Sequence, residues 1–186
     1  MEDPLDEATR EAAARLNERV QRLFGHSLHI RHVDAGSCNA CESEIKLLLN
    51  PYYDVQRLGI FFTTSPRHAD LLLVTGPVTR AMEDPLRQTY DAMPDPRLVV
   101  AVGACACSGG IFGASAFARA GVAEVLPVDV FIPGCPPSPL TLIHGLLLAL
   151  GRAEQRVHGR VQRVREDRLL QMFSLGAGGT REKERG

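Results

Sequence analysis

Apolar and polar positions along the chain switch between two periods, and the switches lay out an ordered series of elements. Over residues 7–24, Leu16, Val20, Leu23 and Phe24 recur at helical spacing with Arg and Glu between them, which predicts an amphipathic helix ended by Gly25. Residues 27–34 alternate Leu28 and Ile30 with His29 and Arg31, the period of a strand. A helix follows over about 42–49 and stops at Asn50-Pro51. Residues 55–63 read as a second strand. Residues 69–74 read as a third, buried on both faces because their apolar run is nearly unbroken. Residues 80–92 are helical and close at Met93-Pro94-Asp95-Pro96, and 98–102 form a fourth buried strand. A helix is predicted over 111–120, ending at Gly121, and a fifth strand over 128–132. Ser138-Pro139 then supplies an N-cap and a first-turn proline for a helix running to Leu150.

Strands alternating with helices predict an α/β fold: a mostly parallel sheet with helices on both faces. The 186 residues suit one domain. The expected organisation is an N-terminal helical extension (1–26), an α/β domain (27–152) and a mobile tail (153–186) crowded with Arg156, Arg160, Arg163, Arg165 and Arg168. The last helix is apolar nearly all round, which predicts that another subunit covers its outer side. A formal net charge of -1 gives no reason to expect a nucleic-acid partner. The start, Met1-Glu2-Asp3-Pro4, has no leader character, and the longest apolar segment, 140–150, falls short of the roughly 20 residues that span a bilayer. The expected compartment is the cytoplasm, where cysteines serve metal or redox chemistry in preference to structural disulfides.

Four of the five cysteines, Cys38, Cys41, Cys105 and Cys135, lie in Gly/Pro-rich segments that each follow a predicted strand. In a parallel sheet those segments emerge on one edge, the edge where open α/β folds place their sites. Each is expected to lead into a helix whose N-terminus aims N–H groups at the site, a field that suits an anionic iron-sulfur cluster. Cys38-x-x-Cys41 alone also fits a zinc knuckle or a redox dithiol, but the third and fourth thiols are single and widely separated, unlike a second zinc pair. Cys105-Ala106-Cys107 offers two thiols to one corner, and spacing does not choose between them. Glu44 stands one helical turn beyond Cys41 and is a candidate proton-coupled group or a first-turn glutamate favoured by the helix dipole. His68, His144 and Arg67 read as structural or solvated residues.

The ordered blocks Gly36-Ser37-Cys38-Asn39-Ala40-Cys41 with Glu44, Ser65-Pro66-Arg67-His68-Ala69-Asp70, Thr75-Gly76-Pro77-Val78-Thr79, Met93-Pro94-Asp95-Pro96-Arg97, Gly103-Ala104-Cys105 with Ser108-Gly109-Gly110, and Pro133-Gly134-Cys135-Pro136-Pro137 resemble a known family. It is the small iron-sulfur subunit, the 20 kDa or B-type subunit, shared by membrane-bound nickel-iron hydrogenases and respiratory complex I. The resemblance implies a flavodoxin-like three-layer fold and one 4Fe-4S cluster on Cys38, Cys41, Cys105 and Cys135, with Cys107 outside the ligand set. Complex I subunits generally have adjacent first cysteines. The spacer Asn39-Ala40 therefore resembles the hydrogenase branch, and within it the energy-converting, formate hydrogenlyase type. The implied function is electron relay to or from a nickel-iron centre on a large partner subunit. The implied further partners are a ferredoxin-like iron-sulfur subunit and, indirectly, a membrane arm, which would place the chain peripherally on the cytoplasmic face of the inner membrane. The alternative is a complex I-like subunit whose cluster reduces quinone, and a lesser one is a zinc or dithiol binding module. No Gly-x-Gly-x-x-Gly fingerprint points to NADH binding by this chain.

Overall fold

The computed structural model describes residues 25–157, together with Arg15 and Glu18, both helical. Apart from those two residues, the helix expected over 7–24 lies outside the described residues, as does the tail beyond 157.

Five strands form one sheet: β1 (Leu28–Asp34), β2 (Ile60–Phe62), β3 (Leu71–Thr75), β4 (Leu98–Val102) and β5 (Val130–Ile132). Their order is β2-β1-β3-β4-β5 and every pairing is parallel. This is the flavodoxin-like arrangement, in which the chain reverses its direction of travel across the sheet between β1 and β3 and opens a crevice at their carboxyl ends. β3 and β4 are buried at all five positions, as Leu- and Val-rich central parallel strands must be. Alternate residues feed two cores. Leu71, Leu73, Leu98, Val100 and Val102 face one way, against Ile45 and Leu48 and against Leu142, Ile143, Leu146 and Leu150. Leu72, Val74, Val99 and Ala101 face the other, against Val78, Leu86, Ala106 and Val122. Helices α1 (Ala40–Leu47) and α4 (Pro139–Val157) therefore cover one face, and α2 (Arg80–Asp91) and α3 (Gly103–Ser108) the other.

Three elements depart from the sequence expectation. The second strand is only β2, because Val55–Leu58 coils into a 3-10 turn ended by Gly59 at φ 79°. Its apolar residues are buried all the same, so burial in a tight turn imitated a strand. The helix expected over 111–120 is not formed. The helical residues after β4 are instead Gly103–Ser108, so Cys105 sits within a short helix and not in a loop ahead of one. Gly109, Gly110 and Gly113 then adopt left-handed conformations that no right-handed helix continues through. Helix α4 passes Gly151 and runs to Val157, so the boundary expected at 152 falls inside it. Arg152 to Arg156 is a run of good helix formers.

The apolar surplus of α4 is mostly absorbed by the chain itself. Leu142, Ile143, Leu146, Ala149 and Leu150 are buried, and among its leucines only Leu148 stands well exposed, at 64%. Gly145 lets the helix lie on β5, since a Cβ there would overlap the Ile132 side chain. Among the described residues, no helix is long and apolar enough to cross a membrane.

Candidate metal centre

The first cysteine segment is shaped by the residue that ends β1. Asp34 Oδ1 accepts hydrogen bonds from the N–H groups of Gly36 (2.8 Å) and Ser37 (2.7 Å). Partial burial pushes the Asp34 carboxyl up, but the backbone donors at Ser37 and Gly36 outweigh it, and the group is held below the usual carboxylate range. Asn39 takes a left-handed conformation (φ 70°) and starts α1, its carbonyl accepting both the N–H (3.1 Å) and the hydroxyl (2.9 Å) of Ser43. Cys38 thus stands just before the helix, and Cys41 is its second residue.

The remaining ligand segments are stitched to each other through the backbone. Ala104 N–H donates to Gly134 O at 2.7 Å, tying the start of α3 to the segment after β5. Ala35 N–H donates to Thr75 O (2.9 Å) and Thr79 N–H to Ala35 O (3.0 Å), tying the first cysteine segment to the turn after β3. Ser138 starts α4, its carbonyl bonded to Leu142 N–H at 3.0 Å. The result is one small pocket lined by Cys38, Cys41, Cys105 and Cys135, with Gly76, Ala104 and Gly134 between them. Glycine is required at two places: a Cβ on Gly103 would stand 2.6 Å from Cys41 Sγ, and one on Gly110 2.8 Å from Cys105 Sγ.

The four sulfurs act on one another electrostatically. Burial, then the charges of Glu42, Cys38, Cys105 and Cys135, push the Cys41 thiol up to about 11. Burial, Cys135 and Cys38 likewise raise Cys105. Thiolates this close repel, and the ionised set needs cationic metal among them. Four thiolate donors around a pocket otherwise lined by small residues and Pro136 fit an iron-sulfur cluster. Cys107 belongs elsewhere: its Sγ lies 3.7 Å from Ala101 O and the side chain packs on the core of the opposite face.

Glu44 is half-buried and does not line the pocket. Sequence reasoning missed its neighbour Glu42, which is only 7% exposed. Thr75 Oγ1 donates to Glu42 Oε1, and His32 Nε2 lies 3.0 Å from Thr75 Oγ1 and 3.8 Å from Glu42 Oε1. Because the Thr75 hydroxyl gives its one proton to the carboxylate, His32 Nε2–H is the donor to Thr75. Burial lowers the His32 pKa, against the raising influence of Glu42 and Asp34. The signal in the sequence was spacing: Glu42 precedes Ile45 and Leu48 at three-residue steps and shares their buried stripe, whereas Glu44 does not. Glu42 and His32 also line an adjoining groove of about 390 Å³ with Arg31, Lys46 and Phe62. Arg67, His68 and His144 are exposed.

Comparison with known proteins places this geometry. Residues 38–149 match the model of the family described as NADH ubiquinone oxidoreductase, 20 Kd subunit. The chain is 45% identical over 150 residues to the "Probable membrane-bound hydrogenase subunit mbhJ" of Pyrococcus furiosus, covering 79% of this chain and 90% of that protein. It is 44% identical over 156 residues to formate hydrogenlyase subunit 7 of Escherichia coli K12, covering 84% of this chain and 60% of that protein. Among solved structures, a chain of the membrane-bound sulfane sulfur reductase, an archaeal respiratory membrane complex, superposes with a TM-score of 0.63 at 32% identity, covering 89% of this chain and 92% of that one. The match, which begins at Cys38 and spans all four pocket cysteines, shows that this chain belongs to the NADH ubiquinone oxidoreductase 20 kDa subunit family of oxidoreductase subunits.

Proposed function

We propose that this chain is the electron-transfer subunit of a membrane-associated hydrogenase complex, with one 4Fe-4S cluster held by Cys38, Cys41, Cys105 and Cys135. The observation that carries the proposal is the convergence of these four cysteines, from three separate segments, on one pocket that Cys107 does not line. When bound, such a cluster takes up or releases one electron at a time.

The chain's own residues account for the rest. Helices α1 and α4 begin shortly after Cys38 and Cys135, and a helix N-terminus carries unpaired N–H groups and partial positive charge that favour thiolates. Pro136 and Pro137 restrict the backbone at the last ligand. Cys38 and Cys135 are exposed, so electrons enter and leave at the surface, where a partner must dock. Ile111, at 91% exposure, with Phe112 and Phe117, forms an apolar rim on the segment that Gly110 folds over Cys105. Arg119 holds that segment with hydrogen bonds from Nε (2.9 Å) and Nη2 (3.1 Å) to the Glu83 carboxylate of α2.

The large partner subunit would carry the nickel-iron centre, a ferredoxin-like subunit would carry the next clusters, and the chain would sit peripherally on the cytoplasmic face of the inner membrane through these partners. The resemblance to membrane-bound hydrogenase and formate hydrogenlyase subunits supports this reading. A second reading, in which the cluster is terminal and reduces quinone or another acceptor, draws support from the family's ubiquinone oxidoreductase members and from the fold shared with a sulfane sulfur reductase. Purification of the complex from its native host decides between them: nickel with hydrogen-dependent reduction supports the first, and a nickel-free complex active with quinone overturns it. Protein isolated anaerobically with zinc on the four cysteines in place of iron, or with no iron, would overturn both. Glu44 is proposed as a proton-coupled group near the cluster. A Glu44→Gln variant of the assembled complex with an unaltered pH–activity profile would remove that role.

A further inference from the structure

The edge of the sheet opposite the cysteines holds a second cluster of metal-ligating side chains. His26 precedes β1, His29 is the second residue of β1, and Asp70 immediately precedes β3. One donor atom from each lies within 4.8 Å of the other two. His26 Nε2 is 3.9 Å from Asp70 Oδ1, and His29 Nδ1 is 3.9 Å from Asp70 Oδ2. These separations exceed hydrogen-bond length, and the three residues line one recess.

Two features prepare the group. Asp70 is fixed by the sheet: its Oδ2 accepts His29 N–H (2.9 Å), its N–H donates to His29 O (2.9 Å) and its carbonyl accepts Leu98 N–H (3.1 Å), leaving the side chain only 15% exposed. His26 Nδ1 lies 2.7 Å from Ser27 O. A carbonyl can only accept, so Nδ1 is the donor to it and Nε2 is the ring nitrogen on the Asp70 side, the backbone-anchored arrangement typical of metal-binding histidines. The His29 ring is held against Phe61, centroid to centroid at 6.0 Å.

We propose that His26, His29 and Asp70 form a site for a divalent transition metal of the zinc type, with water completing the coordination, that clips the segment entering β1 to the residue before β3. Arg67 lines the same recess with His68 and Pro94, and a guanidinium there opposes any cation held by charge alone. The imidazole lone pairs must supply the affinity, which selects zinc, cobalt or nickel over magnesium or calcium. Donors of a tetrahedral zinc site with bonds near 2.0–2.1 Å stand roughly 3.3 Å apart. Closure therefore needs movements on the order of 1 Å, within reach of the exposed His26 ring.

The test uses the full chain, purified anaerobically with its cysteine site loaded, titrated with Co²⁺ and read by calorimetry and cobalt-edge X-ray absorption. The expected result is one Co²⁺ per chain with nitrogen and oxygen ligands and no sulfur, displaced by Zn²⁺. Affinity should fall by more than about tenfold, the lower figure for loss of a mere outer partner, in both His26→Ala and Asp70→Asn. His26→Ala alters an exposed ring, and Asp70→Asn retains an acceptor for His29 N–H. If Asp70→Asn fails to fold, His26→Ala alone decides. Unchanged Co²⁺ affinity in His26→Ala, sulfur in the coordination shell, or no stoichiometric binding overturns the proposal.

Discussion

The two edges of this sheet carry opposite chemistry on one scaffold. At the carboxyl edge, soft thiols stand on turns and helix starts, separated by glycines that leave room for a bulky group. At the amino edge, imidazoles and a carboxylate stand on or beside strand starts, with Asp70 locked into the ladder. The carboxyl edge is built from segments bonded to each other, Ala104 to Gly134 and Ala35 to Thr75, so its shape depends on several distant parts of the chain at once. The amino edge is built largely from one strand pair, β1 and β3, and needs little else. A parallel sheet thus separates a site that must be assembled from one that comes almost directly with strand pairing.

The largest effects that sharpen this contrast are expected at the thiols. Replacing Cys38, Cys41, Cys105 or Cys135 singly by Ser should abolish or strongly deplete the iron and acid-labile sulfide of the anaerobically isolated protein, whereas Cys107→Ser should leave both unchanged. Retained Co²⁺ binding at the amino edge in the Cys41→Ser protein, judged by sulfur-free coordination, would show that the two edges are independent. Equal loss of iron in Cys107→Ser would break the assignment.

Next comes the cradle. Gly103 sits at φ 88°, and an added Cβ would press on Cys41 Sγ. Gly103→Ala should cost about 1–3 kcal/mol by chemical denaturation, with impaired cluster loading. Unaltered stability and loading would show that the pocket yields more easily than its packing implies.

Glu42 gives a comparable or smaller effect. Glu42→Ala removes the acceptor of the Thr75 hydroxyl inside the protein and should lower stability by about 1–3 kcal/mol, measured by urea unfolding. Glu44→Ala, on the same helix but half-buried, should cost much less, and a reversed order would refute the importance of the buried stripe.

The smallest expected effect is a pH dependence. His32 has a folded-state pKa lowered by burial, below its ordinary 6.5. The unfolded chain therefore takes up a proton first as pH falls. The contribution of His32 is fully present above about 6.5 and is lost as pH falls toward the lowered folded value. Melting temperature should decline over that window in the wild type and less steeply in His32→Gln. Parallel pH profiles would exclude His32 as the source.

Much of this was legible in the chain as written. Strands β3 and β4 announced themselves through unbroken runs of Leu and Val, because a central parallel strand is covered on both faces. The order of strands and helices was enough to place the cysteines on one edge. The helix expected over 111–120 failed because apolar content was read without its glycines, whose left-handed conformations fold that segment over Cys105. The apolar surplus of α4 suggests a covering subunit by its pattern alone, whereas packing between the sheet and α1 buries most of it and leaves Leu148 outside. The spacing from Cys41 points to Glu44, and the burial of Glu42 on the same helix is visible only once Ile45 and Leu48 are read as its buried stripe.

By itself, then, the sequence determined the layered α/β class, the parallel sheet and the four thiols available to one site, since these follow from local periodicity and from chain order. Tertiary structure alone decided that Thr75 and His32 close on Glu42, and that His26, His29 and Asp70 meet at the far edge. Each of those outcomes depends on which way a side chain points when distant strands lie about 5 Å apart, and no spacing along the chain encodes that distance.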